Sequence, residues 1–171
     1  MSPSIAWQWI HFVDLTPSEL YALLTARGEV FVVEQRCAFL DMDGLDRDSM
    51  HLLGWAPRNH PADRDRALAA YLRLVEPGRK YTEPSIGRVL TTAAFRGIGL
   101  GRAVMREGLR RAAAEYPAQP VRIGAQRYLE RFYESLGFHV ASAPYDEDGI
   151  EHVQMLCPAP NSVDVTSAPP R

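Results

Sequence analysis

From Trp7 to Phe12 the chain alternates, with Trp7 and Trp9 on one face and Ile10 and Phe12 on the other, the period of a first strand. The period then lengthens. Thr16-Pro17-Ser18-Glu19 has the form of a capping box, with Thr16 as N-cap and Glu19 at the third helical position, and Leu20, Leu23, Leu24 and Phe31 form the helix's apolar stripe. Gly28 interrupts that stripe at a cost of roughly 1 kcal/mol against alanine, so the helix is expected to end or kink there. His51 to Trp55 and Ala67 to Val75 read as second and third strands, separated by a polar connection from Pro57 to Asp65 and closed by Glu76-Pro77-Gly78. Ser85 to Thr91 is a fourth, and strands that follow one another in sequence predict an antiparallel meander.

Next come a turn with Gly97, Gly99 and Gly101 and an amphipathic helix whose buried face is Val104, Met105, Gly108, Leu109, Ala112 and Tyr116. Arg102, Arg106 and Arg110 form the opposite row, either a solvated face or, for Arg102 in the first turn, a phosphate contact. Val121 to Ala125 suits a buried fifth strand. Tyr128 to Leu136 reads as a short helix stopped by Gly137, with Phe138 making the contact behind a glycine C-cap. Phe138 to Ala143 and Glu151 to Leu156 make a final pair joined by Asp146-Glu147-Asp148-Gly149, and the residues from Pro158 onward predict a disordered tail. No internal repeat is present.

The strand, glycine turn and helix start between Ser85 and Arg111 carry the clearest chemistry. A helix N-terminus presents unpaired N–H groups and partial positive charge, and glycine lets an anion come close to the backbone, so the stretch points to a phosphorylated ligand. A Walker loop is excluded because Gly101 is followed by Arg102 and Ala103 rather than by Lys and Ser or Thr. A dinucleotide fingerprint is excluded because its third glycine would fall one position after Gly101. What is left is Arg-x-x-Gly-x-Gly, filled by Arg96, Gly99 and Gly101; an ordinary strand-to-helix turn with a solvated Arg96 is the plain alternative.

Composition narrows the setting. A chain of 171 residues with 46% hydrophobic content fits one domain, and a net charge of −2 gives no field to recruit nucleic acid or an anionic membrane. No apolar run approaches the roughly 20 residues of a membrane span and the N-terminus has no leader pattern, so a cytoplasmic protein is expected. Cys37 and Cys157 lie too far apart in sequence for a close metal or redox pair and read as packing residues, with a catalytic nucleophile as the alternative. The acidic loop from Asp41 to Asp48 does not have the EF-hand order, since Leu45 and Leu52 fall where ligands are needed, and its aspartates are expected to order turns and face water. No metal site is expected.

Several blocks in order resemble the GNAT acyltransferases, and within them the ElaA branch. These are Phe31-Val32-Val33-Glu34-Gln35, Asp41-Met42-Asp43-Gly44, His51-Leu52-Leu53-Gly54-Trp55, Gly87-Arg88-Val89, the glycine loop, Gln126 to Phe138 and Gly149-Ile150-Glu151-His152. The resemblance covers roughly Trp7 to Leu156, leaving a tail from residue 157 to 171. It implies an α/β GNAT fold: a mixed central sheet of about six or seven strands, splayed between strands four and five and flanked by helices.

It further implies that acetyl-CoA is the co-substrate. Val89, Leu90 and Thr91 would meet the pantetheine arm, the amides of Arg96, Gly97, Ile98, Gly99, Leu100, Gly101 and Arg102 would surround the pyrophosphate, and Gln126 would join the cofactor-binding set. A strand-four amide would face the thioester carbonyl, and Tyr133 would stand in the proton-donor position. The base that takes the amine's proton is Glu34 or His152, with His51 a third candidate; a structural role for each remains open. The activity implied is acetyl transfer to a primary amine on a small molecule or peptide by direct attack in a ternary complex, with a non-catalytic acyl-CoA sensor as the alternative. A homodimer is compatible with the resemblance. Gly28 and the polar link from Pro57 to Asp65 are departures that bear on the choice of acceptor.

Overall fold

The computed structural model describes residues 4–36, 38–57 and 66–159. The expected meander is present: β1 (Ala6–His11), β2 (Ser49–Ala56), β3 (Ala67–Val75) and β4 (Ser85–Thr91) pair antiparallel in sequence order. β5 (Val121–Gln126) lies parallel to β4 and antiparallel to β8 (Ile150–Cys157). The short strands β6 (His139–Val140) and β7 (Tyr145–Glu147) both pair with β8, so among the described residues the sheet of eight strands runs β1-β2-β3-β4-β5-β8-β6 with β7 also on β8.

Alternation along β2 and β3 gives the sheet two buried faces. Leu52, Leu72 and Leu74 join the core beneath α2 (Leu100–Glu115), whose Val104, Met105 and Ala112 pack into it, while Leu53, Trp55 and Tyr71 face α1 (Pro17–Arg27) with Leu23 and Ala26. Gly108 of α2 sits where a Cβ would come within 2.5 Å of a Leu72 methyl carbon, so glycine there permits the close approach of helix to sheet.

The Thr16 capping box forms with both of its bonds, Glu19 N–H to Thr16 Oγ1 at 3.2 Å and Thr16 N–H to Glu19 Oε2 at 2.9 Å. The α-helix ends at Arg27 with Gly28 as its C-cap, as expected. Gly28 stays right-handed, and the helix widens into a π-helix over Gly28–Glu34. The second short helix also divides, into a 3₁₀ turn over Arg127–Leu129 and α3 (Glu130–Glu134), with Gly137 at φ 95 closing it as a left-handed residue. β8 runs through Cys157 and Ala159 is buried; the expectations for residues 160–171, for Cys37 and for most of the link from Pro57 to Asp65 fall outside the described residues. Among the described residues no helix is long and apolar enough to cross a membrane.

Candidate functional site

β4 and β5 meet only at one end. Ser85 pairs with Arg122, whose N–H also reaches Pro84 O at 3.0 Å, and past this point no ladder joins the two strands. The edges diverge around a cavity of about 890 Å³, lined on one side by β4 from Ile86 to Thr91 and on the other by Ile123, Gly124 and Gln126. A slot between parallel strands that part at their C-terminal ends is where open α/β sheets place ligands. β4 carries an irregularity there: Leu72 is the one residue between Tyr71 and Arg73, while Arg88 and Val89 both fall between their partners Leu90 and Gly87. This is a bulge, and Arg88 within it has φ 53, a region that side chains with a Cβ rarely adopt.

At the far end of β4 the chain enters the glycine turn. Gly97 and Gly99 have φ 78 and 79, and Gly99 is the N-cap of α2 without any side-chain cap. The first-turn N–H groups of α2 therefore face outward with no side-chain acceptor at the cap, and a Cβ at Gly97, Gly99 or Gly101 would meet nothing within 4 Å. An open, uncapped helix N-terminus with room over its backbone fits a pyrophosphate. Leu100, in the middle of this turn, is buried and anchors the helix start to the core.

Of the sequence-predicted residues, Val89, Leu90, Thr91, Arg96, Gln126, Tyr133 and His152 line the cavity together, and the turn from Gly97 to Gly101 adjoins it through Arg96. Tyr133 is buried between Phe132 and Phe138, edge-on to both at 5.1 and 5.8 Å, and burial pushes its phenol up to about 12. It thus holds its proton at neutral pH. His152 stands opposite Gln126 on one side and Tyr145 on the other, and stacks on Tyr145 at 5.9 Å. Its Nδ1 lies 2.8 Å from Ile150 O; a carbonyl only accepts, so Nδ1 donates and Nε2 keeps its lone pair in the neutral ring.

The other two candidate bases stand outside the cavity lining. Glu34 is not among the cavity-lining residues: its carboxylate is held by Arg96 Nη2 at 2.7 Å, while Arg96 Nε donates to Thr91 O at 3.1 Å. His51 is completely buried, away from the cavity. Its Nε2 donates to Asp46 O at 3.0 Å and its Nδ1 accepts from the Tyr71 hydroxyl at 2.7 Å, and burial pushes the ring down to about 4. It serves the core. Arg102 turns to Ser135, Nη2 to Oγ at 2.8 Å, and lies over the Phe132 ring. The thiol of Cys157 is half-buried and pushed up by burial, the opposite of an activated nucleophile.

The acidic loop is the clearest correction. Asp41 and Asp46 do not face water; they are buried against Arg27 of α1 and Arg73 of β3, both almost completely enclosed. Arg27 spans the two aspartates, Nε to Asp41 Oδ2 at 2.7 Å and Nη1 to Asp46 Oδ1 at 2.6 Å, and Arg73 grips Asp43 through both oxygens at 2.6 and 2.8 Å. Against the opposing effect of burial, Arg73 holds Asp43 well below the ordinary carboxylate range, and Arg27 lowers Asp46 from its usual value. The network anchors the loop that walls the cavity with Asp43 and Leu45. Sequence reasoning gave Arg88 no role beyond its place in a family block and read Glu147 only as part of a loop, yet both line the cavity. Arg88 is the single charge in strand four, and that is the signal it offered.

The acetyltransferase (GNAT) domain family matches residues 57–158. The chain belongs to this family. The GNAT match extends to whole relatives: a UPF0039 protein of Synechocystis sp. is 43% identical over 91% of this chain and 97% of its own, and Escherichia coli ElaA is 40% identical over 88% and 95%. Among solved structures, an acyl-CoA N-acyltransferase from Pseudomonas aeruginosa superposes with a TM-score of 0.82 at 42% identity, covering 90% of this chain and 99% of its own. Escherichia coli ElaA superposes with a TM-score of 0.79 at 39% identity over the same shares. The fold is the GNAT acyltransferase fold, the ElaA resemblance holds over nearly the whole chain, and the chain is an acyltransferase of the N-acetyltransferase type.

Proposed function

We propose that the protein transfers an acetyl group from acetyl-CoA to a primary amine of a small molecule or peptide, by direct attack within a ternary complex. The observation that carries the reading is the uncapped N-terminus of α2, with its left-handed glycines, next to the slot where β4 and β5 part. The pyrophosphate would rest on the amides from Arg96 to Arg102, the pantetheine arm would run along Val89, Leu90 and Thr91 past Gln126, and the thioester would enter the slot at the bulge.

The amine attacks as the free base. His152 Nε2, with its lone pair free and its ring on the cavity wall, takes the proton directly or through water, and Glu34 instead holds Arg96 in place. The new C–N bond forms as the C–S bond breaks, and the departing thiolate gains the proton held by Tyr133. Thiol release from acetyl-CoA with a panel of primary amines tests the reading. Release that requires an amine supports it; binding of acetyl-CoA without release for any amine would instead indicate a sensor.

A further inference from the structure

We propose that Arg88 is a positioning residue, whose ion pair with Asp41 straps the β4 bulge to the acidic loop and so aims the strand-four amides at the thioester carbonyl. The inference rests on the acyl-CoA reading above. Arg88 is the residue whose backbone sits at φ 53 within the bulge, and its neighbour Val89 shares the ladder gap. A left-handed arginine persists only where its surroundings hold it there, and such residues concentrate at functional sites.

The surroundings here are specific. Arg88 Nε lies 2.7 Å from Asp41 Oδ1, off the line of a good hydrogen bond, so the contact is an ion pair; Nη2 donates to Asp41 O at 2.9 Å and approaches Asp43 Oδ2 at 3.4 Å. The guanidinium also lies 5.9 Å from the ring centres of Phe31 and Phe39. Asp41 cannot yield, because Arg27 fixes its other oxygen at 2.7 Å and its carbonyl at 3.1 Å from a fully buried position on α1. On the other side of the bulge, Arg73 stands in register with Gly87 and binds Asp43. The loop is thus tied to both strands that flank the bulge, and the side chain that closes the tie belongs to the distorted residue itself.

A residue that only stabilised the fold would weaken both forms of the ligand alike. One that aims an amide at the carbonyl acts on acetyl-CoA, which has that carbonyl, and not on CoA, which lacks it. Calorimetry with acetyl-CoA and with CoA therefore tests the proposal. In Arg88→Met, acetyl-CoA affinity should fall roughly 2- to 10-fold, the worth of one hydrogen bond, while CoA affinity stays within about twofold. Arg88→Lys restores a cation opposite Asp41 and should recover most of the difference. Should the methionine variant also lose CoA, Asp41→Asn carries the test from a residue outside the cavity lining, with the same selective loss expected. An unchanged ratio of the two affinities in the variant that retains CoA overturns the proposal. No binding of either ligand by the wild-type protein overturns the acyl-CoA reading first.

Discussion

Acidification should destabilise this protein earlier than its carboxylates alone would require, and His51 is the reason. The ring is fully buried with both nitrogens engaged, and burial together with the charges of Arg73 and Arg27 outweighs the favourable contact with Asp46, so its pKa falls to about 4 from 6.5. Between these two values the unfolded chain takes up a proton that the folded chain refuses, so stability falls as pH falls across that window. The full shift corresponds to about 3 kcal/mol. The lowered carboxylates Asp43, Asp46 and Glu107 act in the same direction but lower, since their stabilisation is complete above the unfolded values near 4 and is lost beneath them. Urea unfolding from pH 7 to pH 4 of the wild type and His51→Gln isolates the histidine. The variant should be less stable at pH 7, by about 1–3 kcal/mol for the imidazole's lost bonds to the Tyr71 hydroxyl and the Asp46 carbonyl. Its deficit should then shrink through the window as the wild type loses stability that the variant never had. Parallel curves for the two proteins would refute the reasoning.

Gly101→Ala should leave unfolding stability unchanged or raise it by up to about 1 kcal/mol, because the added methyl meets nothing within 4 Å, yet weaken acetyl-CoA by tenfold or more in calorimetry where the phosphate needs that space. Tyr133→Phe should lower kcat for thiol release by roughly 10²-fold or more with CoA affinity unchanged; equal turnover removes the phenol from the mechanism. Gly108→Ala should destabilise by about 1–3 kcal/mol by thermal melting, since the methyl lands 2.5 Å from a carbon of the fully buried Leu72 and gains less than that in helix propensity.

What the sequence made legible was local. The capping box at Thr16, the strand-to-helix turn at Gly99 and the glycine stop at Gly137 are decided by neighbours within a few residues, and each formed as its pattern predicted. The cavity-lining set from Val89 to Thr91 could be expected because a family pattern fixes its place relative to the glycine turn. The acidic loop was misread for the opposite reason. Asp41 and Asp46 look solvated until Arg27 and Arg73, 14 and 27 residues away, are brought to them by the fold. Gly28 ended the α-helix as its pattern predicted but not the helical path, because a right-handed backbone is open to glycine at a modest cost and the chain runs on as a π-helix. The left-handed Arg88 could not be foreseen, since no local preference places a charged residue there; only the completed network makes that conformation tenable.

The central claim is that the open N-terminus of α2 and the slot beside it hold acetyl-CoA. Titration of the wild-type protein with acetyl-CoA in a calorimeter tests it most directly. One molecule per chain should bind with a dissociation constant in the range of about 1 μM to 1 mM that enzymes show for their substrates, and CoA should displace it. No heat of binding at millimolar acetyl-CoA, from a protein whose melting curve shows it folded, would contradict the account.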